Sequence, residues 1–307
     1  MDGFSDLAFF ALVARLGTLA AAAQELGITP PAVSKRLAAL ERRLGVRLMN
    51  RTTRRISLTP EGELYLGEGA RVLDELETLE RTVAGSRASP KGVLRVSATL
   101  GFGRRRIAPL LSGFARAYPE VEVQLHLSDR PVNLVEQRFD LQIRVGELPD
   151  ARLTARRLAL NRRLLCAAPA YLAAAGVPAS PRELQQHRCI FLREGDETFG
   201  TWHLHQGAKH ETVKVRGALS SNDGESALAW ALDGHGILMR SQWDAADLLR
   251  EKRLAVVLAD WSLPPADIYL VFQTRQHLSA KTRALVDYLF DAFEPQRRKG
   301  SAVLGPW

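Results

Sequence analysis

The segment Gly17-Thr18-Leu19-Ala20-Ala21-Ala22-Ala23-Gln24-Glu25-Leu26-Gly27-Ile28-Thr29-Pro30-Pro31-Ala32-Val33-Ser34-Lys35-Arg36 packs two helix stops and two helix starts into 20 residues. Gly17 ends a helix in which Phe4, Leu7, Phe10, Ala11 and Ala14 recur at helical spacing. Thr18 caps a second helix over Leu19 to Leu26, which Gly27 ends. Thr29 caps a third, with Pro30 at its first position, where a missing N–H costs nothing, and Val33, Leu37, Leu40 and Leu44 as its buried stripe up to Gly45. Three short helices are thus expected before residue 46. Arg47 to Thr59 then carries Arg51-Thr52-Thr53-Arg54-Arg55 between the apolar pieces Val46-Arg47-Leu48 and Ile56-Ser57-Leu58, which reads as a small basic hairpin.

Charge separates this head from the next segment of the chain. The first 60 residues hold nine basic side chains against four acidic ones, whereas residues 61 to 87 hold three basic against seven acidic. Together with a net charge of +8, a basic head points to a polyanion as its partner. Thr59-Pro60-Glu61 is a helix start, and Tyr65, Val72, Leu76, Leu79 and Val83 come after it on a heptad-like spacing with Gly69 at the intervening slot, so a partner helix is expected. Gly85 to Gly92, with Ser86, Ser89 and Pro90, reads as a linker.

Beyond it the period changes. Val121, Val123, Leu125 and Leu127 alternate with polar residues, as do Leu141, Ile143 and Val145, so both stretches are strands. Helix-like segments intervene at Arg104 to Tyr118, Pro131 to Arg138, Pro169 to Ala175, Glu225 to Asp233, Trp243 to Lys252 and Ala280 to Phe293. Strands alternating with helices imply an α/β region of about 200 residues, enough for two subdomains. The tail after Glu294, with Arg297-Arg298-Lys299, reads as disordered.

A chain of 307 residues, 46% hydrophobic and 25% charged, is neither a small module nor a disordered polymer. The acidic start Met1-Asp2-Gly3-Phe4-Ser5-Asp6 is unlike a secretory signal, and no apolar run approaches the roughly 20 residues a spanning helix needs, so a cytoplasmic protein with no membrane partner is expected. Cys166 and Cys189 cannot build a disulfide framework, and both sit in apolar runs, as buried inert thiols do. His203 and His205 share one face of a strand without a third ligand in view, so neither a metal nor a cofactor is expected.

The ordered set Gly17 to Leu26, Thr29 to Ser34, Leu40-Glu41-Arg42-Arg43-Leu44-Gly45-Val46-Arg47-Leu48, Arg51-Thr52-Thr53-Arg54 and Leu58-Thr59-Pro60-Glu61-Gly62 resembles the winged helix-turn-helix of LysR-type transcriptional regulators. The resemblance extends along the whole chain. It implies a winged helix-turn-helix DNA-binding domain at 1–60, a linker and dimerisation helix at 61–86, a hinge at 87–92 and an effector-binding domain at 93–307. The last is a two-subdomain α/β region resembling a periplasmic solute-binding protein, with subdomain I at about 93–160 and 267–294 and subdomain II at about 161–266. Val96 to Thr99, Phe102-Gly103-Arg104, Phe139-Asp140-Leu141, Arg144-Val145-Gly146, Ser221-Asn222-Asp223-Gly224 and Gly236-Ile237 look like the subgroup that responds to small organic acids.

By that resemblance Thr29, Pro30, Pro31, Ala32, Ser34, Lys35 and Arg36 face double-stranded promoter DNA, and Arg51 and Arg54 suit phosphate or a narrow minor groove. Pro30 stands where a polar residue is common, which leaves apolar contact with a thymine methyl at that slot. Val72, Leu76, Leu79 and Val83 form the seam of a homodimer or homotetramer, and RNA polymerase is a further partner the resemblance allows. Ser97, Thr99, Phe102, Gly103, Arg144, Ser221 and Asn222 line an effector cleft in which helix N-termini and hydroxyls favour an anion, Phe102 supplying an apolar wall. A small carboxylate, a short dicarboxylate or an aromatic acid, is the expected effector. Two other readings are an architectural DNA protein without a ligand and an α/β enzyme, and the chain shows no Gly-x-Ser-x-Gly elbow, dinucleotide fingerprint or phosphate loop for the latter.

Overall fold

The computed structural model describes residues 3–51, 56–83, 89–128, 132–134, 136–146, 153–192, 200–273, 278–297 and 307, and side chains are not described at 3, 4, 51, 56, 71, 74, 75 and 77–83. The chain divides into two units, Met1–Ser89 and Pro90–Trp307.

In the first unit α1 (Gly3–Leu16), α2 (Leu19–Leu26) and α3 (Pro30–Leu44) are followed by an antiparallel pair, β1 (Met49–Arg51) and β2 (Ile56–Leu58), and by α4 (Pro60–Val83). The caps are those expected: Thr18 Oγ1 accepts from the Ala21 N–H at 3.2 Å, and Gly27 and Gly45 close α2 and α3 at φ +65° and +73°. Thr29 holds the N-cap position of α3 without a side-chain bond to the helix. Phe9, Phe10 and Val13 meet Val33, Leu37 and Leu40 in one core, closed by Leu48 and Met49 of the hairpin. Tyr65 does not extend an external seam, because its ring packs edge-on against Phe10, 5.4 Å between centroids. Gly62 and Gly69 let α4 lie close: a Cβ at Gly62 would sit 1.9 Å from the Leu48 carbonyl oxygen, and one at Gly69 2.5 Å from Leu7 Cδ2.

The second unit holds two five-stranded sheets. The first is built from β3 (Gly92–Ala98), β4 (Val121–Leu127), β5 (Leu141–Val145), β6 (Leu153–Ala159) and β14 (Ile268–Gln273), in the order β4-β3-β5-β14-β6. The second uses β7 (Arg163–Ala167), β8 (Cys189–Leu192), β11 (Ser220–Ser221), β12 (Ile237–Ser241) and β13 (Ala255–Val257), in the order β11-β8-β12-β7-β13. An antiparallel hairpin of β9 (Thr201–Gln206) and β10 (Lys209–Lys214) stands beside it. The two orders correspond strand for strand. In each, a strand is flanked by two parallel neighbours, β3 by β4 and β5, β8 by β11 and β12, and the last two strands run antiparallel. We call these halves lobe I and lobe II.

Helices α5 (Leu100–Phe102) and α6 (Ala108–Ala117), joined by a π-helical turn at Gly103–Ile107, replace the single helix expected from Arg104. The described part of Pro131 to Arg138 forms turns and no helix. Lobe II carries α7 (Pro169–Ala175), α8 (Gly224–Leu232) and α9 (Gln242–Arg250), while α10 (Ala280–Ala292) covers lobe I. Although α9 follows a strand of lobe II, its Trp243 and Ala246 are buried in the core of lobe I. The described parts of the tail depart from the disorder expected of it: α11 (Glu294–Arg297) is helical and Trp307 is buried against Phe102 and Phe293, while residues 298–306 lie outside the described residues. Burial of the Trp307 ring is the apolar gain that sets its end of the tail apart from the expectation. Where the chain passes between the lobes, Asn161 binds two other segments, through three hydrogen bonds. Its Nδ2 donates to the Ala266 carbonyl at 2.8 Å, its N–H to Asp267 Oδ1 at 2.9 Å, and its Oδ1 accepts from the Trp243 N–H at 3.2 Å. No helix among the described residues is long and apolar enough to cross a membrane.

Candidate DNA-binding and effector sites

Helix α3 buries Val33, Leu37 and Leu40 and leaves Thr29, Pro30, Pro31, Ala32 and Lys35 exposed on one side, with Ser34 half-buried among them. Arg36 is the exception. Its Nη2 donates to the Ser5 carbonyl at 2.9 Å and to Ser5 Oγ at 2.6 Å, its Nε lies 3.7 Å from Asp6, and its guanidinium stacks 4.4 Å from the Phe9 ring. Asp6, 3% exposed, also takes Arg43 at 3.1 Å. A buried carboxylate needs such counter-charges, so Arg36 serves the contact between α1 and α3 rather than a base edge. Arg51 pairs through its backbone with Ile56, and Arg54 lies outside the described residues. Two seats of the hairpin escaped the sequence reading. Glu41 Oε1 accepts from the N–H groups of Leu48 and Met49 at 2.9 and 3.2 Å, and Thr59 Oγ1 donates to the Arg47 carbonyl at 2.7 Å while capping Gly62 at 3.0 Å. The Thr59-Pro60-Glu61 start was the signal for the second of these.

On α4, Val72 is exposed and Leu76 half-buried, while the side chains of Leu79 and Val83 are not described. Residues 87 and 88 of the expected hinge fall outside the described part.

In the second unit the expected effector residues fall into two groups. Thr99, Gly103 and Arg144 lie at or just past the C-terminal ends of β3 and β5, and Ser221 and Asn222 at that of β11. Ser97 is 1% exposed within β3. Phe102 is no cleft wall: it is 1% exposed, packed between Trp243, Phe293 and Trp307. Its position at the first turn after β3 aims it into the lobe I core, where burial of an aromatic ring is worth most. Gly103 is buried where a Cβ would lie 2.3 Å from Leu127 Cδ2, so its absent side chain serves packing.

The N-terminus of α8 already holds an anion of its own. Asp223 accepts from the N–H of Ser226 at 3.0 Å and of Glu225 at 3.5 Å and from Ser226 Oγ at 2.8 Å, and Ser221 Oγ accepts from the Asp223 N–H at 3.0 Å. Burial pushes the Asp223 carboxyl up, but the Ser226 hydroxyl, these N–H groups and the Arg104 charge outweigh it and hold its pKa below the ordinary 3.8. Arg104, Arg105 and Arg106, consecutive residues of the π-helical turn, are engaged as well: Arg104 pairs with Glu225 of α8, Arg105 with Asp244 of α9, and Arg106 donates to the Trp243 carbonyl at 3.2 Å.

The residue that sequence reasoning missed is Arg240. It leaves the end of β12 with its side chain only 8% exposed, binds the fully buried Asp244 through Nε and Nη2, and lies over Gly224, where a Cβ would come within 2.0 Å of Nη1. A charged residue inside the apolar strand Ile237-Leu238-Met239, with an acid four positions on, was the available signal. Beneath it Cys166 is fully buried, and burial, partly offset by Arg240 and reinforced by Asp244, pushes its thiol up to about 12. Burial alone raises Cys189 to about 12. On the outer face of β9, His203 meets Thr212 at 3.0 Å and His205 meets His210 at 2.5 Å, and no group of three or more potential ligands among the described residues is placed to hold a metal.

These features agree with two family profiles. Residues 4–63 match the bacterial regulatory helix-turn-helix protein, lysR family, and residues 87–294 match the LysR substrate binding domain. The chain is 40% identical over 289 residues to the transcriptional regulator DmlR of Escherichia coli K12, covering 94% of each chain. It is 39% identical over 285 residues to the transcriptional activator TtdR of the same strain, covering 92% of this chain and 91% of that one. Among solved structures, full-length AphB of Vibrio cholerae superposes with a TM-score of 0.60 at 26% identity, over 95% of this chain and 99% of that one. CrgA of Neisseria meningitidis gives 0.60 at 31% identity, over 94% and 98%. The chain therefore belongs to the LysR family, as a non-enzymatic, DNA-binding transcriptional regulator with a C-terminal effector-binding domain.

Proposed function

We propose that this regulator binds its promoter as a cytoplasmic homodimer or homotetramer, with RNA polymerase as a further partner, and is controlled by a small carboxylate held between lobes I and II. Thr29, Pro30, Pro31, Ala32, Ser34 and Lys35 meet the bases, Arg51 and Arg54 the phosphates or the minor groove, and the seam of Val72, Leu76, Leu79 and Val83 joins two copies. One observation carries the effector reading. The shared strand order puts a topological switch point in each lobe, β3 beside β5 and β8 beside β12, and ligands of open α/β sheets bind outside the carboxyl ends of strands at such points. The two ends adjoin, since a Cβ at Gly101, just past β3, would lie 3.8 Å from Arg240 Nη2 at the end of β12.

Calorimetry of the whole protein against organic acids, neutral metabolites and amines tests this. Stabilisation by a neutral or cationic compound and by no carboxylate would sink it. Footprinting at one promoter, rather than uniform coating of DNA, separates the regulator from an architectural protein.

A further inference from the structure

The correspondence between the lobes reaches individual residues. Strand β5 lies parallel beside β3 as β12 does beside β8, and each is followed in its sheet by an antiparallel neighbour, β14 or β7. Arg144 is the last residue but one of β5, and Arg240 the last but one of β12. Their faces match too. Gln142, two residues before Arg144, reaches the Val132 carbonyl in the crossover that precedes β5, at 3.4 Å. Leu238, two before Arg240, packs against Ala227, Leu228 and Ala231 of α8, in the crossover that precedes β12. Each lobe thus carries one arginine at the same place, on the crossover side of the sheet, at the carboxyl end of the strand that flanks the switch point.

Both arginines border one turn of chain. Ala98 of β3 pairs with Ile143, so the next rung sets Thr99 beside Arg144, and Gly101, two residues on, faces the Arg240 guanidinium. We infer that the effector is a dicarboxylate gripped at its two ends by Arg144 of lobe I and Arg240 of lobe II, a reading that rests on the effector site proposed above.

The charges favour it. Asp244 answers both Arg105 and Arg240 with a single carboxylate, and Asp223 and Glu225, the acids flanking Gly224, are turned to the α8 cap and to Arg104. Arg144 makes no ion pair among the described residues. Arg104, Arg105, Arg144 and Arg240 therefore outnumber Asp223, Glu225 and Asp244, and a half-buried cationic excess calls for an anion. Two planar guanidiniums, one from each lobe, suit two carboxylates, since a hydroxyl or a single carboxylate cannot answer N–H donors at both ends. With Nε and Nη2 bound to Asp244, Nη1 is the donor of Arg240 that this ion pair leaves over, and the absence of a side chain at Gly224 is what makes room for it.

Titration calorimetry of the full-length protein with succinate, glutarate and phthalate, each against the monoacid of matching skeleton (butyrate, valerate and benzoate), tests the clamp. At least one diacid is expected to bind about tenfold or more tighter than its monoacid. Arg144→Gln should erase that advantage. So should Gly224→Ala, whose Cβ displaces the Arg240 guanidinium while leaving its charge beside Asp244, and circular dichroism of both variants establishes that the lobes are folded. Should Gly224→Ala fail to fold, Arg240→Lys, which keeps a cation beside Asp244 but loses the fork, takes its place. Monoacids binding as tightly as diacids, or a diacid advantage that survives Arg144→Gln, would overturn the clamp while leaving the carboxylate effector standing. Binding of neither set, with a neutral or cationic metabolite bound instead, would overturn both.

Discussion

The indole N–H of Trp307 donates to the carbonyl of Leu160 at 2.7 Å. That bond ties the end of the chain to the point where the backbone leaves lobe I. The Trp307 carbonyl oxygen accepts from Arg250 of α9, and Arg106 lies 5.6 Å from its ring. Trp307→Ala removes the ring from the Phe102–Phe293 cluster and is expected to lower the stability of the second unit by about 3–5 kcal/mol. Chemical denaturation followed by fluorescence reads the loss, and an unchanged midpoint would show the ring to be dispensable.

Arg36 and Lys35 are neighbours on α3 in different surroundings, Lys35 exposed and Arg36 paired with the buried Asp6. Lys35→Ala is expected to weaken binding to the specific site by about 1–3 kcal/mol with little change in the melting of the head. Arg36→Ala strips the buried Asp6 of one counter-charge and should cost the head about 1–2 kcal/mol of stability, a figure discounted because Arg36 is partly exposed. Filter binding on specific and random duplex, paired with melting curves, separates them. Equal loss on both duplexes for Lys35→Ala removes it from the base readers.

Leu76→Glu places a charge in the middle of the seam proposed on α4. Light scattering should then report a smaller assembly, and tight promoter binding should go with it, because two half-sites act through effective concentration. An unchanged mass with undiminished promoter affinity rules the seam out.

Asp223 gives an acid-side signature. Its folded pKa lies below its ordinary 3.8, so its contribution is complete above that value and is lost as the pH falls through the lower, folded one. Asp223→Ala removes the α8 cap, costs about 1 kcal/mol at neutral pH, and should flatten the acid limb of the stability curve. An acid limb identical to that of the unaltered protein contradicts this.

The head was legible because its signals are local. Thr18, Gly27, Pro30 and Gly45 each act on the backbone beside them, and the 3.6-residue stripe of Val33, Leu37 and Leu40 names its own buried face. The pairing of Arg36 with Asp6 spans 30 residues, and no local rule tells a basic side chain whether to face solvent or a buried acid. The same holds in the effector unit. Alternation located β4 and β5, but placing Arg240 beside Gly101 requires two lobes to meet. Phe102 was misplaced for that reason: a helix-start aromatic suits a cleft or a core equally, and the choice was made by Trp243, Phe293 and Trp307, distant in sequence.

Cys166 and Cys189 pair with the two edges of the same strand, facing Leu238 and Ile237 of β12. Strands lie about 4.8 Å apart, so the backbones of the two cysteines are separated by about 10 Å, beyond the reach of a disulfide. With both thiols raised to about 12, neither forms an appreciable thiolate while lobe II is closed. Their protonated state adds stability in full below the ordinary 9.0, and that contribution drains away as the pH climbs toward 12. At pH 8 an aromatic disulfide reagent is expected to reach the pair only through opening of lobe II, at a rate that follows the open population, so a metabolite that slows the reaction reports effector binding without an engineered label.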